Sequence, residues 1–198
     1  GQLNFGASTV YRRPSLQLSA SASSYVTVDE DGDETSRHAL EVNSFRYVGQ
    51  RWLWLLQGGF MRNQELGYNL RGTVSAGVGR FMVRSNRATL ALGGGLSTSR
   101  EVPTDGETTQ QLDALLSVRQ SYFTYDTPKT DISMTANVYP GLSEWGRLRI
   151  EFDGKLKREI VKDFTVGFSI YDSYDNRPPT EGARKNDVGL SLTVGWTF

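Results

Sequence analysis

Residues Arg147 to Lys157 read RLRIEFDGKLK. Leu148, Ile150, Phe152 and Leu156 fall on one side of a period-two pattern; Arg147, Arg149, Glu151, Asp153, Lys155 and Lys157 fall on the other. Successive side chains of a β-strand point to opposite faces, so the stretch is a strand with one greasy face and one charged face. Two architectures use such a strand. In a sheet facing water, the charges are outside and the apolar side is the core. In a transmembrane barrel the apolar side meets lipid and the charges line the lumen. One strand cannot separate them, because both predict the same period.

The rest of the chain repeats the pattern. About eleven such strands are visible, and the spacing of an amphipathic helix is scarcely seen. "DISMTANVY" sets Ile132, Met134, Ala136 and Val138 against Asp131, Ser133, Thr135 and Asn137. "DVGLSLTVGWTF" sets Val188, Leu190, Leu192, Val194, Trp196 and Phe198 against Gly189, Ser191, Thr193, Gly195 and Thr197. Alternation is imperfect between Ser36 and Val48, where Leu40 and Val42 share one face and Phe45 and Tyr47 take the other. Most strands exceed the usual five or six residues, and many reach the nine to eleven or so of a tilted membrane-crossing strand.

The links alternate in length. Longer ones lie around residues 29–36, 63–69, 101–109, 140–146 and 173–187; shorter ones lie around 11–14, 48–51, 84–87, 124–130 and 161–163. Long loops on one rim and short turns on the other mark outer-membrane barrels. Trp52, Trp54, Tyr122, Tyr125, Tyr139, Trp145, Tyr171, Tyr174 and Trp196 gather near strand ends, as aromatic residues do at a membrane–water boundary. These features favour an all-β, antiparallel, up-and-down transmembrane barrel over a β-sandwich that binds ligands in water.

Composition narrows the function. The 198 residues suit a single barrel domain over 1–198, with 22 basic and 22 acidic side chains. That balance supplies no basic field for nucleic acid. There is no cysteine and a single histidine, His38, so neither a thiolate nor a multi-histidine metal centre is expected, and no cofactor. The negative mean hydropathy does not oppose a membrane barrel, because only alternate residues meet lipid.

The C-terminal stretch "YDSYDNRPPTEGARKNDVGLSLTVGWTF" resembles the signature of the DUF481 family, which includes the salt-induced outer-membrane proteins. The matching pieces are Tyr171–Asp175, Pro178 with Pro179, Lys185–Asp187 and Gly195–Phe198; "DISMTANVYPGLSEWGRLRIEFDGKLK" and "LRGTVSAGVGRFM" fit less specifically. The resemblance implies a bacterial outer-membrane barrel and no particular activity. It implies outer-membrane lipid and lipopolysaccharide as surroundings, and the barrel-assembly machinery as a partner in biogenesis. Leu190, Leu192, Val194, Trp196 and Phe198 match the terminal aromatic strand that this machinery reads in outer-membrane barrels.

A closed barrel of this kind has an even number of strands. With eleven visible, twelve is the expected total, the first strand lying before Gly1; ten, with residues 1–10 outside the wall, is the alternative. The expected site is a lumen charge network of Arg71, Asp113, Arg119, Asp131, Arg147, Arg149, Glu151, Asp153, Lys155 and Lys157. Such a network either fills and stiffens the lumen or sets ion preference. The leading expectation is a non-enzymatic barrel, either a narrow channel for small solutes or ions or a structural, stress-linked envelope protein. A barrel enzyme acting on lipid or peptide with His38 beside a hydroxyl is the competing one. The acidic "DEDGDE", residues 29–34, lacks the pattern of a calcium loop, and "LGGGLS" lacks the lysine of a phosphate loop.

Overall fold

The structure is a computed structural model and describes residues 2–28, 34–104, 106–126, 128–161, 163–180 and 182–196. Eleven long strands follow one another: β1 (Gln2–Arg13), β2 (Leu16–Val28), β3 (Glu34–Val48), β4 (Trp52–Asn63), β5 (Tyr68–Arg84), β6 (Ala88–Pro103), β7 (Thr109–Phe123), β8 (Thr130–Pro140), β9 (Leu148–Val161), β10 (Phe164–Asp175) and β11 (Asn186–Trp196). Each pairs antiparallel with its neighbours in sequence, giving one sheet in the order β1 to β11. A single continuous meander excludes the two packed sheets of a sandwich.

The burial pattern is inside out. Among the described residues nine large hydrophobic side chains are buried and thirty-six are exposed. On β4, Trp52, Trp54, Leu56 and Phe60 are exposed while Leu53, Leu55, Met61 and Asn63 are buried. On β9, Arg149 is 2% exposed although it is charged, and Leu156 and Ile160 on the opposite face are exposed. Apolar side chains in a continuous outward belt need an apolar solvent, which is lipid. The sheet therefore curls with its polar face inward, as a nearly closed barrel.

The imperfect alternation read in β3 is apolar residues on both faces of a strand whose phase is unbroken. Leu40, Val42 and Val48 face out, whereas Phe45 is buried and packs in the lumen with Leu53, Leu55, Leu115 and Tyr139; Tyr47, Phe81 and Ala91 pack against them. Tyr139 and Tyr171, expected in the interfacial belt, are instead buried on the lumen side. Both fall on the odd-numbered, inward phase of their strands, and each finds a hydrogen-bond partner there.

Five links form a short-turn rim: 14–15, 49–51, 85–87, 124–129 and 162–163. The other rim carries the links 64–67, 104–108, 141–147 and 176–185, together with the end of β2 and the start of β3. Strands β1 and β11 both run from the long-loop rim to the short-turn rim, and they are the two edges of the sheet. Leu3 and Phe5 on β1, and Leu192 and Val194 on β11, are among the most exposed apolar residues of the wall. Thr197 and Phe198 lie outside the described residues, so the terminal aromatic expected as an assembly signal does too; Leu190, Leu192, Val194 and Trp196 all face outward.

Candidate functional site: a charge network across the lumen

The inward face of the long-loop half carries a connected set of charges. Its centre is Arg147, at the end of the β8–β9 loop. Its Nη1 donates to Glu101 Oε2 at 2.9 Å, and its Nη2 donates to Asp175 Oδ2 at 2.7 Å and to Tyr68 Oη at 2.8 Å. Tyr68 Oη in turn donates to Asp175 Oδ2. Arg147, Glu101, Asp175 and Tyr68 are all almost fully buried. Burial works against the guanidinium charge, but the Asp175 hydrogen bond and the charges of Glu101 and Asp175 outweigh it and hold Arg147 above its ordinary pKa.

Two further links extend this centre. Arg149 pairs with Asp113 and reaches Glu101 at 3.5 Å, so Glu101 is shared by two guanidinium groups. Arg71 pairs with Glu151, whose other oxygen accepts from Tyr139 Oη at 3.2 Å. A separate cluster joins β3, β4, β10 and β11. Asn63 Nδ2 and Tyr171 Oη both donate to Asp187, and the Arg37 guanidinium stacks on the Tyr171 ring with its centre 3.9 Å from the centroid. Gly189 makes this possible, because a Cβ there would strike the Tyr171 ring.

These bonds run across the lumen. Asn63 and Asp187 link β4 to β11, Tyr68 and Asp175 link β5 to β10, and Arg71 and Glu151 link β5 to β9. Opposite walls within hydrogen-bonding distance leave no wide passage at that level. The loops close over the same end: Thr180 Oγ1 donates to Gly67 O at 3.0 Å, Arg184 N donates to Glu65 O at 3.0 Å, and Arg177 reaches Glu144 at 3.3 Å. Gly67 has φ of 73° and a would-be Cβ lies 2.7 Å from Thr180, so the contact requires glycine there.

Of the ten sequence-expected network residues, Arg71, Asp113, Arg147, Arg149 and Glu151 are brought together. Arg119 lies deeper, over the Phe45 ring at 4.2 Å, with no salt-bridge partner among the described residues. Asp131, Asp153, Lys155 and Lys157 point inward toward the short-turn half, exposed and outside the network. Sequence reasoning missed Glu101, Asp175, Asp187, Tyr68, Asn63 and Arg37.

His38 faces outward on β3, exposed, with Nδ1 2.9 Å from Ser24 Oγ. Among the described residues no carboxylate pairs with it, so the hydroxyl–imidazole pair lacks the acidic group that orients such a base. Residues 29–33 of the acidic loop lie outside the described residues, and among those described no cluster of three or more metal-ligating side chains occurs.

An antiparallel meander with an outward apolar belt and a charged lumen defines a porin-like membrane β-barrel. The profile described as "Protein of unknown function, DUF481" matches residues 2–198, and the chain belongs to that family. Its fold is similar to that of the solved NanC porin, with a TM-score of 0.57, 10% identity, and coverage of 100% of this chain and 93% of that one. No curated protein matches the sequence.

Proposed function

We propose that this protein is a non-enzymatic barrel of the bacterial outer membrane, with its short-turn rim in the periplasm, whose lumen is a narrow passage for ions or small solutes held shut by its own charge network. The observation that carries the reading is Arg147, which bridges Glu101, Asp175 and Tyr68 across the long-loop end. Below that cap, the lumen is lined by Ser19, Ser21, Ser23, Asp153, Lys155 and Ser169, which are all at least partly accessible. A wetted polar vestibule under a closed cap fits a gated or slowly conducting barrel better than an open pore. Outer-membrane lipid, lipopolysaccharide and the assembly machinery are its proposed surroundings and partner.

Wall closure belongs to the same proposal. Because β1 and β11 run in the same direction, one strand of opposite direction can pair antiparallel with both. A twelfth strand running from the short-turn rim to the long-loop rim has that direction. It would satisfy edge groups that cost several kcal/mol each in hydrocarbon.

Planar-bilayer recording tests the function. The wild-type barrel should pass little current, and Arg147→Ala should raise conductance several-fold while the barrel remains folded. Wide, ohmic conduction by the wild type contradicts the cap; a folded Arg147→Ala barrel with no current favours the structural, envelope-strengthening role instead.

A further inference from the structure

The short-turn rim of the first half of the barrel is strongly basic. Residues 10–19, 43–55 and 77–92 make up the short-turn ends of β1 to β6, and they contain seven arginines and no acid. Three of these arginines line one cleft of about 810 Å³, between the 49–51 turn and the last residues of β5. Phe81 N donates to Arg51 O at 2.7 Å, which fixes the turn against the strand. Beyond that bond the pairing of β5 with β6 shifts between Phe81 and Val83, and the strand end forms the second wall.

Arg51, Arg80 and Arg84 surround this space, and each is exposed. Among the described residues none of them forms a salt bridge. The Arg84 side chain donates to Gln50 O at 2.8 Å and stacks on Phe81 and Tyr47; Arg80 stacks on Trp52, 5.6 Å from the ring centroid. Aromatic faces hold two of the guanidinium groups without neutralising them. Three like charges around one cleft repel one another unless an anion enters it. Guanidinium groups bind phosphate oxygens through paired N–H donors. Exposed Met82 lines the same cleft, and exposed Trp52 and Trp54 stand just above it on the outward wall. That places Arg80 at headgroup level, below the aromatic belt, while Arg84, stacked on the inward Phe81 and Tyr47, reaches the cleft from the lumen side of the rim.

We infer that this cleft binds the phosphodiester headgroup of an anionic phospholipid in the adjacent leaflet. The inference rests on the membrane-barrel reading but not on the state of the lumen. Its occupant is lipid rather than free phosphate because the cleft joins a cationic floor to an apolar, lipid-facing lip.

The test uses the full chain in a non-ionic detergent, titrated with phosphatidylglycerol, phosphatidylcholine and, separately, inorganic phosphate. Binding is counted by native mass spectrometry. Phosphatidylglycerol should bind at least tenfold tighter than phosphatidylcholine. Each surface arginine near anionic lipid contributes about 1 kcal/mol, so Arg51→Gln, Arg80→Gln and Arg84→Gln together should weaken it roughly 100-fold. Arg13→Gln, outside the cleft, should leave it unchanged. Arg51→Gln alone, at an exposed turn, should weaken binding several-fold and covers the case of a triple variant that does not fold. Equal binding of the two lipids, undiminished binding by the folded triple variant or by Arg51→Gln, or tighter binding of inorganic phosphate than of lipid would overturn the site. A chain that stays monodisperse without detergent contradicts the barrel reading itself.

Discussion

Arg147 is the residue on which the capped end depends. Removing its guanidinium leaves buried Glu101 with only the 3.5 Å contact to Arg149 and buried Asp175 with only the Tyr68 hydroxyl and the Arg177 backbone N–H, and breaking buried pairs in this way costs about 3–5 kcal/mol. Urea unfolding of the barrel in lipid vesicles should show Arg147→Ala destabilised by that order, while Arg177→Ala, at an exposed loop pair, should change stability by less than about 1 kcal/mol. Equal effects would mean that the network is not buried in the folded protein. Arg147 and Arg149 were legible in the sequence because they fall in phase in one alternating stretch, and Arg71 because it falls on the polar face of its own strand. Of the acids, Asp113 and Glu151 were legible in the same way, but Glu101, Asp175 and Asp187 were not. Glu101 lies in "REVPTDGETT", whose proline, glycine and acids read as loop, yet pairing of β6 with β5 carries the strand to Pro103. Asp175 and Asp187 bracket a long polar link, and only the fold turns both toward the lumen. Tyr139 and Tyr171 did carry a signal: their odd phase matches Asn137 and Ser169, not the lipid-facing side chains beside them.

At the scale of the strand, period two assigns each residue to lipid or lumen, and neighbours should respond oppositely to the same change. Leu116 is exposed near the middle of β7, and Ser117 beside it faces inward. Leu116→Arg should destabilise the barrel by about 2–4 kcal/mol in vesicles, and Ser117→Arg by much less. A larger loss from Ser117→Arg would reverse the faces. Gly189→Leu should force Tyr171 off the β11 wall and break its bond to Asp187, read as loss of tyrosine fluorescence anisotropy or lower unfolding stability; an unchanged barrel would mean the ring does not lie there. Strand existence and phase were legible because they depend on local alternation. The shift between Phe81 and Val83 was not, since such an irregularity is set by the neighbouring strand.

For the whole molecule, the sequence carried the class of fold but not its interior. Zero net charge hides a spatial separation: ion pairs knit the long-loop end, while Arg51, Arg80 and Arg84, without a salt bridge among the described residues, crowd one part of the short-turn rim. That arrangement appears only when strands distant in sequence are closed into a wall. The division of this wall into a lipid face outside and a water face inside can be measured along β9. Single nitroxide labels at each position from 148 to 157, with the barrel in liposomes, should alternate. Labels at 148, 150, 152 and 156 should be accessible to oxygen and shielded from a water-soluble nickel chelate, and labels at 153, 155 and 157 should show the reverse. The same nickel accessibility on both faces, or shielding of the charged face in place of the apolar one, would contradict the membrane barrel.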